Sequence, residues 1–226
     1  MSRTTAEGIR ETYRGESGQV YAREFAQDEQ AKIAIARERA RKLQPHVPAD
    51  ASVLEYGVGQ AYNLRFLQCR ERWGFDVHDS FRDDCTRAGV TLVNSIDAFK
   101  GRTFDVVLCH HVLEHVPNPV ATLNEIAGLL KPGGRFLLYV PFESRRRYRR
   151  YITPDPAHHL FSWNAQTIGN LLEATGFRIV DVRVQKFSYE RRLAPLARFG
   201  TWAYRGGLYL LRTIRPEDEV FAVATL

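Results

Sequence analysis

The feature that most limits how this chain can fold is the run Ala51-Ser52-Val53-Leu54-Glu55, which leads directly into Tyr56-Gly57-Val58-Gly59. A short apolar run bounded by turn residues is the pattern of a strand buried on both faces. Glycines placed immediately after it let the backbone turn sharply and approach a ligand closely.

The strand–helix unit then recurs along the chain. Asn63 to Arg72 carries Leu64, Phe66 and Leu67 in a helical pattern, and Trp73-Gly74-Phe75-Asp76-Val77 reads as a second strand ending in an acid. A helix is predicted near Asp83 to Ala88, then strands over Val90–Val93 and Phe104–Cys109, a helix over Pro119–Leu130, a turn at Lys131-Pro132-Gly133-Gly134 and a strand over Arg135–Val140. Asn164 is placed to cap a further helix running to Gly176, with strands at Phe177–Val184 and Val220–Thr225 behind it. Strands alternating with helices predict an α/β fold: a Rossmann-like three-layer α/β/α sandwich on a seven-stranded, mostly parallel sheet with one antiparallel edge strand.

Upstream, Val20, Phe25, Ile33, Ala36 and Ala40 lie among charges and read as an amphipathic helix stopped by Pro45 and Pro48. The expected organisation is a helical cap over residues 1–48 and one domain over 49–226, with 142–165 and 186–215 inserted as loops or lids on the substrate side. Three cysteines without a C-x-x-C pair support neither a disulfide framework nor a Cys-type zinc site. No run approaches the ~18–20 apolar residues of a membrane span, and a cytoplasmic protein is expected. A net charge of +6 mildly favours anionic partners.

The glycine loop also discriminates between cofactors. The dinucleotide fingerprint G-x-G-x-x-G would need glycine at position 62, where the chain has Tyr62, and a pyrophosphate would be repelled by Glu55. An acidic strand end before G-x-G instead suits a cofactor with a cationic methionine end and no phosphates, and Asp76 suits ribose hydroxyls.

In Val53–Gly59, Asp76, Phe104-Asp-Val-Val-Leu-Cys-His-His-Val-Leu-Glu-His-Val116, Leu129–Pro141 and His159–Phe177 the chain resembles the class I S-adenosylmethionine-dependent methyltransferases, closest to their small-molecule branch. The likeness covers about residues 50–184 and the final strand. It implies that Glu55 lies towards the methionine end, Gly57 and Gly59 border the cofactor, and Asp76 holds the ribose. Asn94, Ser95 and Ile96 would border adenine, and His110 would meet the methionine moiety through its backbone. Ala61 stands where the family loop usually has a third glycine, and no Asp/Asn-Pro-Pro-Tyr/Phe follows the fourth strand, which argues against amino-methylation of nucleobases.

Methyl transfer asks mainly for positioning and desolvation, because the sulfonium is already activated. A sugar or aliphatic hydroxyl acceptor would need a base, for which His111 and His159 are the candidates; a phenolate or carboxylate would need none. His111-Val-Leu-Glu114-His115 also fits the H-x-x-E-H zinc pattern, which requires a long helix that Pro117 and Pro119 leave no room for, and no metal is expected. Arg146, Arg147 and Arg150, after the fifth strand, fit an anionic acceptor or a solvated basic loop. Leu193 to Leu211 reads as a lid, a dimer face or a membrane-surface helix, with Gly206-Gly207 weakening it as one continuous helix.

The expected activity is transfer of the methyl of S-adenosylmethionine to a small molecule, at an oxygen of a sugar, glycan or quinone-like compound. Methylation of RNA or another polyanion, a non-catalytic S-adenosylmethionine-binding protein and a zinc hydrolase are the alternatives.

Overall fold

In the computed structural model, residues 28–142, 151, 159–187, 190–214 and 217–226 are described. Seven strands form one sheet: β1 (Ser52–Tyr56), β2 (Glu71–Phe75), β3 (Thr91–Val93), β4 (Phe104–His110), β5 (Leu130–Pro141), β6 (Arg178–Phe187) and β7 (Glu217–Thr225). Their order is β3-β2-β1-β4-β5-β7-β6. β1 to β5 run parallel, and β7 runs antiparallel to both β5 and β6. One strand is reversed, as expected, and it is β7, one place in from the edge strand β6.

Chain order reverses at β1, which has β2 on one side and β4 on the other. In open α/β sheets this switch point leaves a crevice beyond the carboxyl ends of the strands, where ligands bind.

The helices are α1 (Glu29–Leu43), α2 (Arg82–Arg87), α3 (Pro119–Leu129), α4 (Ala165–Ala174), α5 (Glu190–Leu193) and α6 (Thr201–Ile214). Side chains of a strand alternate between faces, so Val107 and Cys109 join a core with Leu123 and Ile126 of α3 and Leu172 of α4. Val106 and Leu108 join the opposite core with Leu43 of α1 and Cys85 of α2. The expected Asn164 cap forms, as a reciprocal capping box with Thr167, and the structure adds a second at Asn118, which accepts from the Ala121 N–H above Pro119.

Three local expectations are corrected. Asn63 to Arg72 is not a helix: residues 62–66 make turns, and Leu64 and Leu67 are buried by the loop's own packing beneath β1. Lys131–Gly134 belongs to β5, where the pairing with β4 slips between Phe104 and Val106 and absorbs the glycines. α6 passes unbroken through Gly206-Gly207. A Cβ on Gly207 would lie 2.8 Å from Leu196 Cδ1, so the glycine allows the helix to pack closely on the preceding segment, offsetting its low helix propensity.

Candidate active site

The loop after β1 is held by β2. The N–H groups of Gly57 and Val58 both donate to the Phe75 carbonyl, at 2.7 and 3.0 Å. Gly57 (φ +80°) and Gly59 (φ +47°) take left-handed conformations, as does Ala61 (φ +57°), the non-glycine in the third position. The two glycines differ in their surroundings. A Cβ on Gly57 would sit 2.2 Å from Val112 Cγ2, whereas one on Gly59 would meet no protein atom within 4 Å.

Asp76, just beyond β2, ties the strand end to this loop. Its Oδ2 accepts from the Gly59 N–H at 2.9 Å and its Oδ1 from the His78 N–H at 3.0 Å. Burial pushes its carboxyl up, and these two N–H groups pull against that. Asn94 supports the same corner, its amide donating to the Asp76 carbonyl at 2.8 Å while its oxygen accepts from Arg82 at 3.0 Å. Ser95 caps the short helix Ile96–Phe99, and Ile96 packs against the core. Asn94, Ser95 and Ile96 thus line up beyond β3 as the sequence suggested, with the Asn94 side chain engaged in holding β2.

Glu55 is buried at the end of β1. Its Oε1 accepts from the Asn63 amide, and its Oε2 has no hydrogen-bond partner among the described residues. Burial pushes its pKa up to about 8, against the opposing pull of Asn63 and Arg39. Arg39 reaches this cluster from α1, donating to Glu190 of α5 at 2.7 Å and lying 3.4 Å from the Asn63 oxygen. The helical stretch ahead of the sheet therefore contributes a buried charge beside the glycine loop.

β4 delivers His110 and His111 to the same end of the sheet. Their rings stack, with centroids 4.4 Å apart and 15° between planes. His110 is buried, its Nε2 has no partner among the described residues, and burial drives its pKa well down, so the ring is neutral. His111 has φ +54°, a strained value for a histidine, fixed by its N–H donating to the Tyr139 carbonyl at 2.8 Å. Its Nε2 stands 3.5 Å from Oε2 of Glu219, a fully buried carboxylate on β7. Glu219 also faces Lys42 of α1 at 2.5 Å and Gln185 of β6 at 2.7 Å. Burial alone would raise the Glu219 pKa, but Lys42 and His111 outweigh it and hold it down at about 2. Burial lowers the His111 pKa, and Glu219 opposes that shift.

The two candidate bases fall in different clusters. His159 packs edge-on against His115, centroids 4.9 Å apart, and His115 Nε2 lies 3.8 Å from Glu114. Residues 113–115 form a turn rather than a helix, so the H-x-x-E-H spacing does not place His111 and His115 on one helical face. Two groups nevertheless bring three potential metal ligands within 4.8 Å of one another: His110, His111 and Glu219, and Glu114, His115 and His159. In the first, Lys42 already supplies a cation to the carboxylate. Arg146, Arg147 and Arg150 lie outside the described residues.

Arg39, Lys42, Asn63, Glu190 and Glu219 were not singled out from sequence. The legible signal was the placing of Arg39 on the apolar face of α1, beside Ile35, Ala36 and Leu43, and of Glu219 next to the apolar run Val220–Ala224.

The sheet order and the acid-tipped glycine loop at its switch point define the class I S-adenosylmethionine-dependent methyltransferases. A family model described as a methyltransferase domain matches residues 25–182 of the chain. The chain belongs to that family.

Among solved structures it is similar to the N-methyltransferase NodS of Bradyrhizobium japonicum WM9 in complex with S-adenosylhomocysteine, at TM-score 0.61 and 17% identity over 92% of this chain and 96% of that one. It is also similar to 1,6-didemethyltoxoflavin-N1-methyltransferase of Burkholderia thailandensis, at TM-score 0.57 and 20% identity over 97% of this chain and 86% of that one. The ubiquinone biosynthesis O-methyltransferase of Xanthomonas axonopodis pv. citri is 45% identical over 49 residues, 22% of this chain. That match spans only 20% of the Xanthomonas protein's length.

Proposed function

We propose that the protein transfers the methyl group of S-adenosylmethionine to an oxygen of a small-molecule acceptor, a quinone-like phenol or a sugar. The observation that carries this reading is the gathering, at the carboxyl ends of the neighbouring strands β1 and β4, of a buried carboxyl, Glu55, an open face at Gly59 and the His111–Glu219 pair. The match to ubiquinone O-methyltransferases supports an oxygen acceptor.

S-Adenosylmethionine supplies a methyl group activated on a sulfonium. Glu55 Oε2 receives the cationic methionine end, and Gly57 and Gly59 keep the loop low enough for close approach. Asp76 retains acceptor capacity for ribose hydroxyls, since each carboxylate oxygen can accept twice. Asn94, Ser95 and Ile96 border adenine, and the neutral His110 meets the methionine moiety through its backbone. His111 would take the proton of an acceptor hydroxyl as that oxygen receives the methyl group the cofactor supplies, and Glu219 would stabilise the resulting imidazolium. His159, with His115, lines the acceptor side. Arg146, Arg147 and Arg150 hold an anionic group of the acceptor where one is present.

Glycine substitutions test the cofactor loop. Gly59→Ala should fold, at a backbone cost of about 1–2 kcal/mol, yet lose tenfold or more in affinity for S-adenosylmethionine, because its methyl enters space the protein leaves open. Gly57→Ala should instead lower the melting temperature markedly through its clash with Val112. Equal affinity in Gly59→Ala and wild type, by calorimetry, would move the cofactor off this loop.

For the acceptor, S-adenosylhomocysteine release is measured against a panel of phenols and sugars. With an aliphatic hydroxyl acceptor, His111→Gln should reduce kcat by roughly 100-fold or more and flatten the acidic limb of its pH profile. With an acceptor already ionised as a phenolate, the same variant should lose little, and unchanged kcat on every hydroxyl acceptor would remove His111 as the base.

A further inference from the structure

From Arg191 to Pro216 the chain has six arginines and no acidic residue or lysine. Within this stretch α6 turns Tyr204 and Leu208 inward, where they are buried with Ile35 of α1 and Tyr62 of the glycine loop. Its outer surface is apolar as well. Trp202 is 78% exposed, Tyr209 76%, Ile214 70% and Leu210 56%, and Phe199, just before the helix, is 57% exposed. Trp202 and Tyr209 are seven residues apart, two turns of helix, and so share a face, with Leu210 and Ile214 beside them.

Arg205 and Arg212 are also seven apart and share a face of α6, Arg212 half-buried, while Arg198 lies in the 3-10 turn before the helix, on the far side of Gly200. Among the described residues, Arg205 meets one carboxylate, Glu38, at 3.4 Å, and Arg198 lies over the Phe199 ring at 4.6 Å. An exposed apolar strip of this composition is not an ordinary solvated face.

We propose that the outer face of α6 is a docking surface for an anionic lipid bilayer, lying in the headgroup region with Trp202, Tyr209, Leu210 and Ile214 inserted and the arginines at the phosphates. The composition is that of an interfacial helix: a large apolar face, aromatic residues suited to the interface, and arginine flanks without lysine or acid. Charge selects the occupant. A second copy of the chain would bring the same run of arginines against this one, which opposes a two-fold contact, whereas anionic headgroups neutralise them. Because the inner side of the helix covers Tyr62, docking would set the bilayer one helix away from the glycine loop, where an apolar acceptor dissolved in lipid could be met.

The test is co-sedimentation of the full chain with vesicles of phosphatidylcholine alone or mixed with phosphatidylglycerol, alongside tryptophan emission and oligomeric state by light scattering. The expected result is binding to the anionic vesicles, a blue shift of emission, and loss of binding at high salt. Removing three arginines in R198Q/R205Q/R212Q should weaken binding by on the order of 100-fold, at about fivefold per charge. W202S should abolish most of the blue shift while leaving Trp73 and Trp163 to report folding. Equal binding to both vesicle types, no binding to either, or an unaltered triple variant would overturn the proposal. So would a solution dimer that W202S dissociates, which would assign the face to a second copy.

Discussion

Replacing Glu55 with glutamine should make the protein more stable at pH 7 and a poorer binder of S-adenosylmethionine. The native carboxyl keeps its proton up to a pH of about 8, whereas a glutamate in the unfolded chain releases it near pH 4.3. Between those values the folded state binds more protons than the unfolded state, so stability falls as pH rises through the window. At pH 7 this burial costs on the order of 3 kcal/mol, and glutamine carries no such cost while keeping an oxygen for the Asn63 amide. The melting temperature of Glu55→Gln should therefore exceed that of wild type by roughly 5–10 °C at pH 7, a gap that closes at pH 4.

Binding should move the other way. A cationic ligand group beside Oε2 favours the ionised carboxyl, so the wild type should release close to one proton per S-adenosylmethionine bound at pH 7 and bind more tightly as pH approaches 8. Glutamine should release none and lose about 10- to 100-fold in affinity, the worth of a charge-assisted hydrogen bond. Parallel loss of stability and binding would mean that Glu55 is an ordinary buried carboxyl of the fold.

Glu219→Gln should have the opposite stability sign. Its removal leaves the half-buried Lys42 at the carboxyl end of the sheet without the carboxylate 2.5 Å away, and breaking one side of a buried ion pair costs up to about 3–5 kcal/mol. Because the Glu219 pKa is held down at about 2, its contribution is complete above the unfolded glutamate pKa and lost as pH falls from about 4.3 towards 2. The acid-unfolding curve of the variant should lack that component. Its effect on methyl transfer should be separable from its effect on folding. Lys42→Met combined with Glu219→Gln should recover most of the melting temperature but not kcat. In Glu219→Gln alone, the acidic limb of the pH profile should also move to lower pH, because His111 has lost the carboxylate that raises its pKa while Lys42, which lowers it, remains. A double variant with full activity would reduce Glu219 to a structural anchor.

Glu55, the glycines and Asp76 were legible in the sequence because a parallel strand and its closing turn are local: a buried apolar run, an acid, then residues able to take positive φ. The same reasoning failed at Asn63–Arg72, where the spacing of Leu64, Phe66 and Leu67 looks helical but serves a loop folded under β1. It failed again at Gly206-Gly207, where tertiary packing against Leu196 overrides propensity.

The charged partners of the site were out of reach for a different reason. Arg39 and Glu190 are 151 residues apart, and Lys42 meets Glu219 only because β7 inserts between β5 and β6 and sets Glu219 opposite Pro141 at the end of β5. No local pattern encodes that meeting. The division of His111 and His159 between two clusters likewise depends on where the segment after β5 returns to Glu114, whose carbonyl accepts from the Leu160 N–H at 2.8 Å.

The central claim is that the loop between Glu55 and Gly59 binds S-adenosylmethionine through a carboxyl that must ionise to do so. Its most direct test is calorimetric titration of the ligand at pH 7 in two buffers of different ionisation enthalpy. One-to-one binding is predicted, with an enthalpy difference between buffers that corresponds to release of nearly one proton. Absence of binding, or binding with the same enthalpy in both buffers, would contradict it.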